Sequence, residues 1–132
     1  MEPGPENGLA ALPDHKLGVL LCYDSEFTEP ARALAEHGLE LLCVPSYCES
    51  QHCYQLVGWS CQARAIENKI FVVPTSPSGS IERFSLRTGY GSSSIIAPSK
   101  QPFPDSDILT ESSINKAGIA ITDIDFSALI TC

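Results

Sequence analysis

Residues 17–29 read LGVLLCYDSEFTE: a continuous apolar run, a cysteine, and then the polar residues of a turn. The run Leu17–Leu21 has the length and the branching of a strand that is covered on both faces. Thr28 is a good N-cap for a helix, because its hydroxyl can accept a backbone N–H, and the acid and proline after it suit a first turn. This helix should end at Gly38, a residue type that adopts the left-handed conformation easily. The stretch thus predicts a strand followed by a helix.

Two more strands and one more helix are predicted after this first strand and helix. The run Leu39–Val44 predicts a second buried strand, and after a loop a longer helix is predicted from about Tyr54 to Glu67, with Asn68 at its end. The apolar residues of this helix form no single stripe, so it is expected to be buried but not simply amphipathic. Ile70–Val73 predicts a third strand. The order βαβαβ is typical of a layered α/β fold with helices packed against a sheet.

The chain changes character after Pro74. Short runs of β-forming residues are separated by Gly, Pro and Ser clusters without a helix pattern, so strands and hairpins are expected. The runs are Ile81–Leu86, Ser93–Ala97, Asp107–Glu111 and Ile119–Ile124. Residues 1–15 contain three prolines and no sustained apolar run, so they are predicted as a loop or tail before a domain at 16–130.

The composition is that of a globular protein with an excess of negative charge. Of 132 residues, 43% are hydrophobic and 18% are charged, and 16 Asp and Glu against 8 Lys and Arg give a net charge of −8. This charge argues against a module that binds the phosphates of duplex nucleic acid, and against docking on an anionic membrane surface. No apolar run approaches the ~20 residues of a membrane helix. We therefore expect neither nucleic acid nor membrane as a partner.

The six cysteines permit more than one interpretation. The amino terminus lacks the apolar stretch of a secretory signal, and Cys22 and Cys43 lie in apolar runs, so free thiols in the cytoplasm are predicted rather than a disulfide framework. A zinc site is the alternative, because Cys43, Cys48, His52 and Cys53 fall within eleven residues. Their spacing is not a standard structural zinc spacing, and no metal is expected.

Cys22 is the strongest candidate for a catalytic residue. It lies at the carboxyl end of the first predicted strand, which is where ligands bind in α/β sheets, although a cysteine in such a place is more often a small core residue. The segment from Leu17 to Glu29 resembles the nucleophile segment of the carbon–nitrogen hydrolases, the nitrilase superfamily. In that family a cysteine follows an apolar strand, and an aromatic residue and an acid come next.

Further motifs of that family occur downstream in the same order. Residues 62–68 (QARAIEN) resemble its Ala-Arg-Ala-x-Glu-Asn helix end, residues 89–98 (GYGSSSIIAP) resemble its Gly-x-Ser-x-Ile-x-x-Pro segment, and residues 123–125 resemble its last strand. The resemblance covers about residues 16–130. It implies a partial α-β-β-α sandwich, in which this chain supplies βαβαβ and then short strands and hairpins.

The resemblance also implies roles for individual residues. Cys22 would attack an amide carbon and form a thioester that water resolves, and the backbone N–H of Tyr23 would help to hold the oxyanion. Ser46 and Tyr47, on the loop after the second strand, would line the pocket of a small linear amide or related C–N substrate. No cofactor is implied. Structural roles near the site are expected for Arg32, Arg64 and Glu67.

Two departures from the family pattern bear on activity. Thr28 stands where the family prefers Pro, a small change at a helix start. The larger one is that the family's catalytic Glu and Lys precede the cysteine strand, in a half of the domain that these 132 residues do not contain. We therefore expect weak or no activity from this chain alone, with a non-catalytic interaction or structural module as the alternative. Uncovered strands favour association, so a homo-oligomer is expected.

Overall fold

The computed structural model describes residues 9–81 and 86–130. Its strands are β1 (Leu9–Ala11), β2 (Lys16–Val19), β3 (Leu41–Pro45), β4 (Phe71–Thr75), β5 (Gly79–Ile81), β6 (Leu86–Gly89), β7 (Ser94–Ile96) and β8 (Ile108–Glu111). Its helices are α1 (Thr28–Glu36) and α2 (Gln51–Asn68), and short 3-10 turns span Cys22–Glu26 and Phe126–Leu129.

Six strands form one mixed sheet in the order β1-β2-β3-β4-β7-β8, and β5 pairs with β6 in a separate hairpin. β2, β3 and β4 are parallel neighbours, with Leu17 opposite Leu41 and Leu41 opposite Phe71. β1 joins one side of this parallel set and β7 the other, both antiparallel, and β8 follows β7. The predicted βαβαβ order and the α/β class are therefore confirmed.

The main core lies between one face of the sheet and the two helices. Leu42 and Val44 of β3 are fully buried there, and Ala31 of α1 packs in the same cluster. Side chains alternate between the two faces of a strand, so Leu41 and Cys43 point away from the helices, and both are only half-buried. The sheet thus has a helix-covered face and an opposite face, which we call the open face.

The open face is covered only in part by the described residues. Phe71 of β4 is fully buried on this face, because the rings of Phe103 and Phe126 meet it edge-on with centroids 5.4 and 5.7 Å away. Near the carboxyl end of β2, by contrast, Val19 is 45% exposed and Leu21 is 62% exposed. The aromatic cover therefore protects one end of the open face and leaves apolar side chains in contact with solvent at the other.

α1 begins one residue away from the predicted position. Thr28 is its first helical residue, and the N-cap is Phe27, whose side chain makes no capping hydrogen bond. The prediction that Thr28 caps the helix is therefore wrong, because the preceding 3-10 turn runs to Glu26 and leaves one residue between the two helical segments. Gly38 follows the helix with a φ of 91°, the left-handed conformation that its predicted role requires.

α2 begins three residues earlier than predicted. The Oγ of Ser50, its N-cap, accepts a hydrogen bond from the backbone N–H of Cys53 at 3.2 Å, and this satisfies a donor that a helix start leaves unpaired. Its end at Asn68 agrees with the prediction. The helix therefore includes part of the loop in which the zinc alternative placed its ligands.

Two strand predictions are corrected. Leu9–Ala11, predicted as loop, form β1 because their backbone pairs with β2, whereas residues 1–8 lie outside the described residues. Ile119–Ile124 has no ladder partner among the described residues, because its alternating pattern sets which side chains are covered and not which strand pairs with it. The ends of the predicted run Ile81–Leu86 belong to β5 and β6, and residues 82–85 lie outside the described part.

Candidate functional site

Cys22 lies where the carboxyl ends of the three parallel strands meet. It follows β2 closely, and β2 is the neighbour of β3, whose end is followed by Ser46. The backbone N–H of Ser46 donates to the Thr75 carbonyl oxygen at 2.8 Å, which joins the ends of β3 and β4. Ligands of parallel sheets are held at this edge. The structure therefore places Cys22 and Ser46 at the carboxyl ends of the parallel strands, the edge expected to hold a ligand.

The backbone at Cys22 is strained. Its φ of 32° lies in the region that favours glycine, so the conformation must be held by neighbouring interactions. Ser25, which is fully buried, donates its hydroxyl to the Cys22 carbonyl oxygen at 2.6 Å. The Cys22 thiol is half-buried, with Sγ 4.0 Å from the Tyr47 carbonyl oxygen. This turn fixes the direction of one thiol relative to the β3–α2 loop.

Tyr23 has its backbone N–H, and not its ring, in a position to contact a molecule beside the Cys22 thiol. The ring is exposed and packs edge-on against Phe27, with centroids 4.9 Å apart. The Tyr23 N–H lies in the first turn of the 3-10 segment that starts at Cys22, where N–H groups have no acceptor within the helix. Such an N–H is able to donate to an oxygen of a molecule that approaches the thiol.

A cavity of about 470 Å³ opens beside Ser46. Lys116 lines it together with side chains that carry hydroxyl groups. These hydroxyl-bearing residues include Ser46, Thr75, Ser76, Ser92 and Ser93. Tyr47 lies outside this lining and approaches the site through its carbonyl contact with Cys22. The cavity is large enough for a small molecule, and its hydroxyl groups can hydrogen-bond a polar ligand.

Three more thiols pack around the same turn. Burial raises the pKa of the Cys48 thiol to about 12, and the neighbouring Cys53 thiol adds to this rise. Burial also raises the pKa of Cys61 to about 12, although the Ser25 hydroxyl and the Arg64 guanidinium beside it act in the opposite direction. Cys48 and Cys61 therefore stay protonated at neutral pH, and a protonated buried thiol is a poor nucleophile.

The three charged residues expected to be structural make contacts on α1 and α2. Arg64 is buried, and its Nε lies 2.8 Å from Oε1 of Glu67, an ion pair whose angle is too poor for a hydrogen bond. Nη1 of Arg64 is also buried and has no hydrogen-bond acceptor among the described residues. Arg32 is exposed, with Nη1 donating to Oδ1 of Asn68 at 3.4 Å and Nε 3.8 Å from Glu36. These contacts tie the end of α2 to α1.

The zinc alternative gains no support from the geometry. Cys43 points to the open face, whereas Cys48 belongs to the helix-covered core and His52 is exposed. Within residues 9–81 and 86–130, no group of three or more His, Cys, Asp or Glu side chains could hold a metal ion. In the same ranges, no helix has the length and apolar character needed to span a bilayer.

Sequence reasoning misses Ser25, although its hydroxyl holds the turn of the candidate nucleophile. A serine in a turn is ordinary, and the buried position of this one results from α2 packing over the turn, which the local sequence does not reveal. Two polar runs could have indicated the hydroxyl-rich cavity, residues 75–78 (TSPS) and 91–93 (GSS), since every residue of both runs lines it.

Comparison with known proteins gives a consistent answer. The model of the carbon–nitrogen hydrolase family matches residues 1–132. The chain is 33% identical over 115 residues to the probable hydrolase YhcX of Bacillus subtilis, covering 86% of this chain and 22% of that protein. It is 35% identical over 124 residues to the deaminated glutathione amidase of Dictyostelium discoideum, covering 91% of this chain and 38% of that protein.

A solved structure extends the comparison to the fold. A mutant of an amidase from Nesterenkonia sp. AN1, with the acetamide moiety of fluoroacetamide added covalently at its active-site cysteine, has a TM-score of 0.75 and 25% identity, covering 98% of this chain and 45% of that chain. The chain thus spans between about a fifth and about a half of the length of these relatives. It belongs to the carbon–nitrogen hydrolase family, the nitrilase superfamily.

Proposed function

We propose that the chain carries the nucleophile half of a hydrolase that cleaves a small linear amide or a related non-peptide C–N bond, with Cys22 as the nucleophile. One observation supports this most: a half-buried thiol on a strained backbone, φ 32°, at the ligand-binding edge of a parallel sheet. The relatives named as hydrolases and amidases support the reaction class.

The proposed chemistry is acyl transfer in two stages. The Cys22 thiolate forms a bond to the amide carbon, and the carbonyl electrons move to the oxygen, which the Tyr23 N–H would hold. The C–N bond then breaks, the amine leaves with a proton, and a thioester remains. Water adds to the thioester and releases the carboxylic acid and the thiol. Ser46 would line the pocket, and Tyr47 would fix one side of the thiol through its carbonyl.

The two stages require a base and a second oxyanion donor that we assign to no residue of this chain. In the family the Glu and Lys that fill these roles precede the cysteine strand. Removal of one oxyanion donor typically lowers the rate by about 10²–10³-fold. We therefore propose that these 132 residues alone have weak or no hydrolase activity, with a non-catalytic interaction module as the second candidate function.

Competitive alkylation tests the assignment of Cys22. The chain is treated with limiting iodoacetamide at neutral pH, and the modified cysteines are located by mass spectrometry. An assembled site should label Cys22 at least roughly tenfold faster than Cys53, which is also half-buried, because reactivity follows thiolate character and access. Equal labelling rates would mean that the thiol is not activated, and would favour the interaction module.

Two serine variants provide the matched comparison for activity. Ammonia release from small linear amides is measured for the parent chain, for Cys22→Ser and for Cys53→Ser. Any activity should be lost in Cys22→Ser and kept in Cys53→Ser, since only the first removes the proposed nucleophile. Measurable activity that Cys22→Ser retains at the level of the parent would overturn the role of Cys22.

The location and assembly of the chain are also proposals. The five cysteines of the described residues are free thiols, which supports a reducing compartment such as the cytoplasm. Exposed apolar side chains on the open face, among them Val19 and Leu21, support association with another polypeptide or a second copy. Sedimentation of the purified chain over a range of concentrations would test the homo-oligomer directly.

A further inference from the structure

The cavity beside Ser46 contains a cation that no described acid neutralises. Lys116 carries the single charge among the described residues that line this cavity, and the rest of that lining is neutral. Within the described ranges, the Lys116 side chain has neither an ion pair nor a hydrogen bond. The chain has 16 acidic and 8 basic residues, yet this lysine remains available to an anion that enters the cavity.

The backbone that carries Lys116 is fixed to the wall of the cavity. The backbone N–H of Asn115 donates to the Gly91 carbonyl oxygen and the Gly91 N–H donates to Oδ1 of Asn115, each at 2.9 Å. Asn115 has a φ of 58°, a left-handed conformation that asparagine adopts more readily than most residues. Gly91 in turn lies so close to Ser76 that a Cβ on the glycine would clash with the serine side chain. These contacts set the point from which the lysine side chain extends.

Ser112 supplies a second hydrogen-bond donor to the same cavity. Its Oγ accepts the backbone N–H of Ser93 at 2.9 Å, which fixes the oxygen, and its own proton has no acceptor among the described residues. Both serines line the cavity together with Lys116. A hydroxyl can donate one hydrogen bond while it accepts another. An ammonium group and a free hydroxyl donor in one cavity suit the two oxygens of a carboxylate, and hydrogen bonds between charged groups are the stronger kind.

We infer that the cavity beside Ser46 binds a carboxylate at the end of the substrate that lies away from the scissile amide, with Lys116 as the residue that selects it. This inference rests on the proposed function, because the amide would lie at Cys22. A carboxylate fits better than a phosphate ester, since the described lining offers one cation. A phosphate carries a charge of roughly −1.5 to −2 at neutral pH, and its second charge would stay uncompensated in an acidic chain.

The sheet sets the length of such a substrate. Cys22 follows β2, whereas Ser93 lies beside Thr75 at the end of β4 and immediately precedes β7. Three strand spacings separate β2 from β7 in the sheet, which is roughly 14 Å. A linear chain of several carbons between the amide and the carboxylate, met by the extended lysine side chain, would bridge this distance. We therefore expect an amide with a carboxylate at its far end to bind better than a short neutral amide.

Two matched ligands test the subsite by calorimetric titration, which does not require hydrolysis. The monoamide and the diamide of glutaric acid differ only in having a carboxylate or a neutral amide at one end. The parent chain should bind the monoamide at least roughly fivefold more tightly. Lys116→Met should remove this preference, because it keeps the length of the side chain and loses its charge, and Lys116→Arg should retain it. Lys69→Met removes the same charge from an exposed residue at the end of α2 and should leave the preference unchanged.

The subsite and the nucleophile are tested separately. Equal affinity of the parent for the two ligands, or a preference that Lys116→Met retains, would overturn the subsite whatever the alkylation of Cys22 shows. Tighter binding of inorganic phosphate than of the monoamide would also overturn it. A preference lost in Lys116→Met and kept in Lys69→Met supports the subsite even if Cys22 is unreactive, and the proposed function alone then fails. Saturating monoamide should slow the alkylation of Cys22 relative to Cys53, and equal rates with and without it would contradict one molecule reaching both Cys22 and Lys116.

Discussion

The two faces of the six-stranded sheet contain similar residues but have different surroundings. On the helix-covered face, Leu42 and Val44 are fully buried beneath α1 and α2. On the open face, their neighbours Leu41 and Cys43 are half-buried, and Val19 is nearly half exposed. The apolar character of β3 thus extends over both faces, while the described chain supplies a full cover for only one. The composition of a strand indicates which of its side chains could be buried. The elements packed on each face of the sheet determine which of them are buried.

The largest expected effect is a difference in unfolding free energy between alanine variants of two adjacent leucines, Leu42 and Leu41. Leu42→Ala removes a fully buried side chain and leaves a cavity under the helices, so it should lower the free energy of unfolding by about 3 kcal/mol. Leu41→Ala removes the same atoms from the half-buried face and should cost about 1 kcal/mol. Urea unfolding followed by circular dichroism at 222 nm measures both. Equal losses would show that the open face is as well packed as the other.

Alkaline pH should weaken the helix-covered face through its thiols. Burial raises the pKa of Cys61 from its ordinary value of 9.0 to about 12, so the unfolded chain loses this proton at a lower pH than the folded chain. The stability associated with the protonated thiol is therefore complete below pH about 9 and is lost as pH rises toward 12. The unfolding free energy should fall less steeply between pH 9 and 11 in Cys61→Ala than in the parent. Identical slopes would contradict this origin.

Two valines, one on each face of the sheet, allow the cost of adding a hydroxyl group to be compared between the faces. Val44→Thr buries a hydroxyl on the helix-covered face and should cost about 1–3 kcal/mol. Val19→Thr leaves its hydroxyl in contact with solvent on the open face and should change the free energy of unfolding by no more than about 0.5 kcal/mol. Thermal and urea unfolding of the two variants test this. A large loss in Val19→Thr would mean that another chain covers the position in solution.

The smallest effect concerns the start of the covering helix. Ser50→Ala removes the hydroxyl that accepts the Cys53 N–H and should lower the unfolding free energy by about 1 kcal/mol. Ser60→Ala, in the interior of the same helix, is the control and should be neutral or slightly stabilising, since alanine is the better helix former. If the two variants lose the same stability, the cap does not define the start of α2.

The parallel part of the fold could be predicted because each of its strands is a short apolar run. The ends of the two helices between these strands are also marked clearly in the sequence. Gly38 has the left-handed φ that ends α1, and Asn68 is the last residue of α2. β1 is not predicted because it has only three residues, two of them alanines, which have little preference for strands, and only the pairing with β2 makes them a strand. The start of α2 is not predicted, because Ser50 lies in a stretch whose other residues are also typical of a loop, so the sequence does not single it out as the N-cap.

The candidate site is predictable in its sequence-local part only. Cys22 follows from the strand and the family segment around it. The burial of Ser25 and the raised pKa values of Cys48 and Cys61 depend on how α2 packs over the turn. Cys48 and Cys61 lie more than 25 positions after Cys22 in the sequence, and local patterns contain no information about such distant contacts.

The left-handed conformation of Cys22 shows a compromise between durability and reactivity. A non-glycine residue at φ 32° typically costs on the order of 1–3 kcal/mol, and glycine would adopt it without that cost. The bond from Ser25 and the packing of α2 offset the strain, so part of the folding free energy is used to aim one thiol. A version of this chain selected only for resistance to heat would be expected to lose its cysteine at position 22 first.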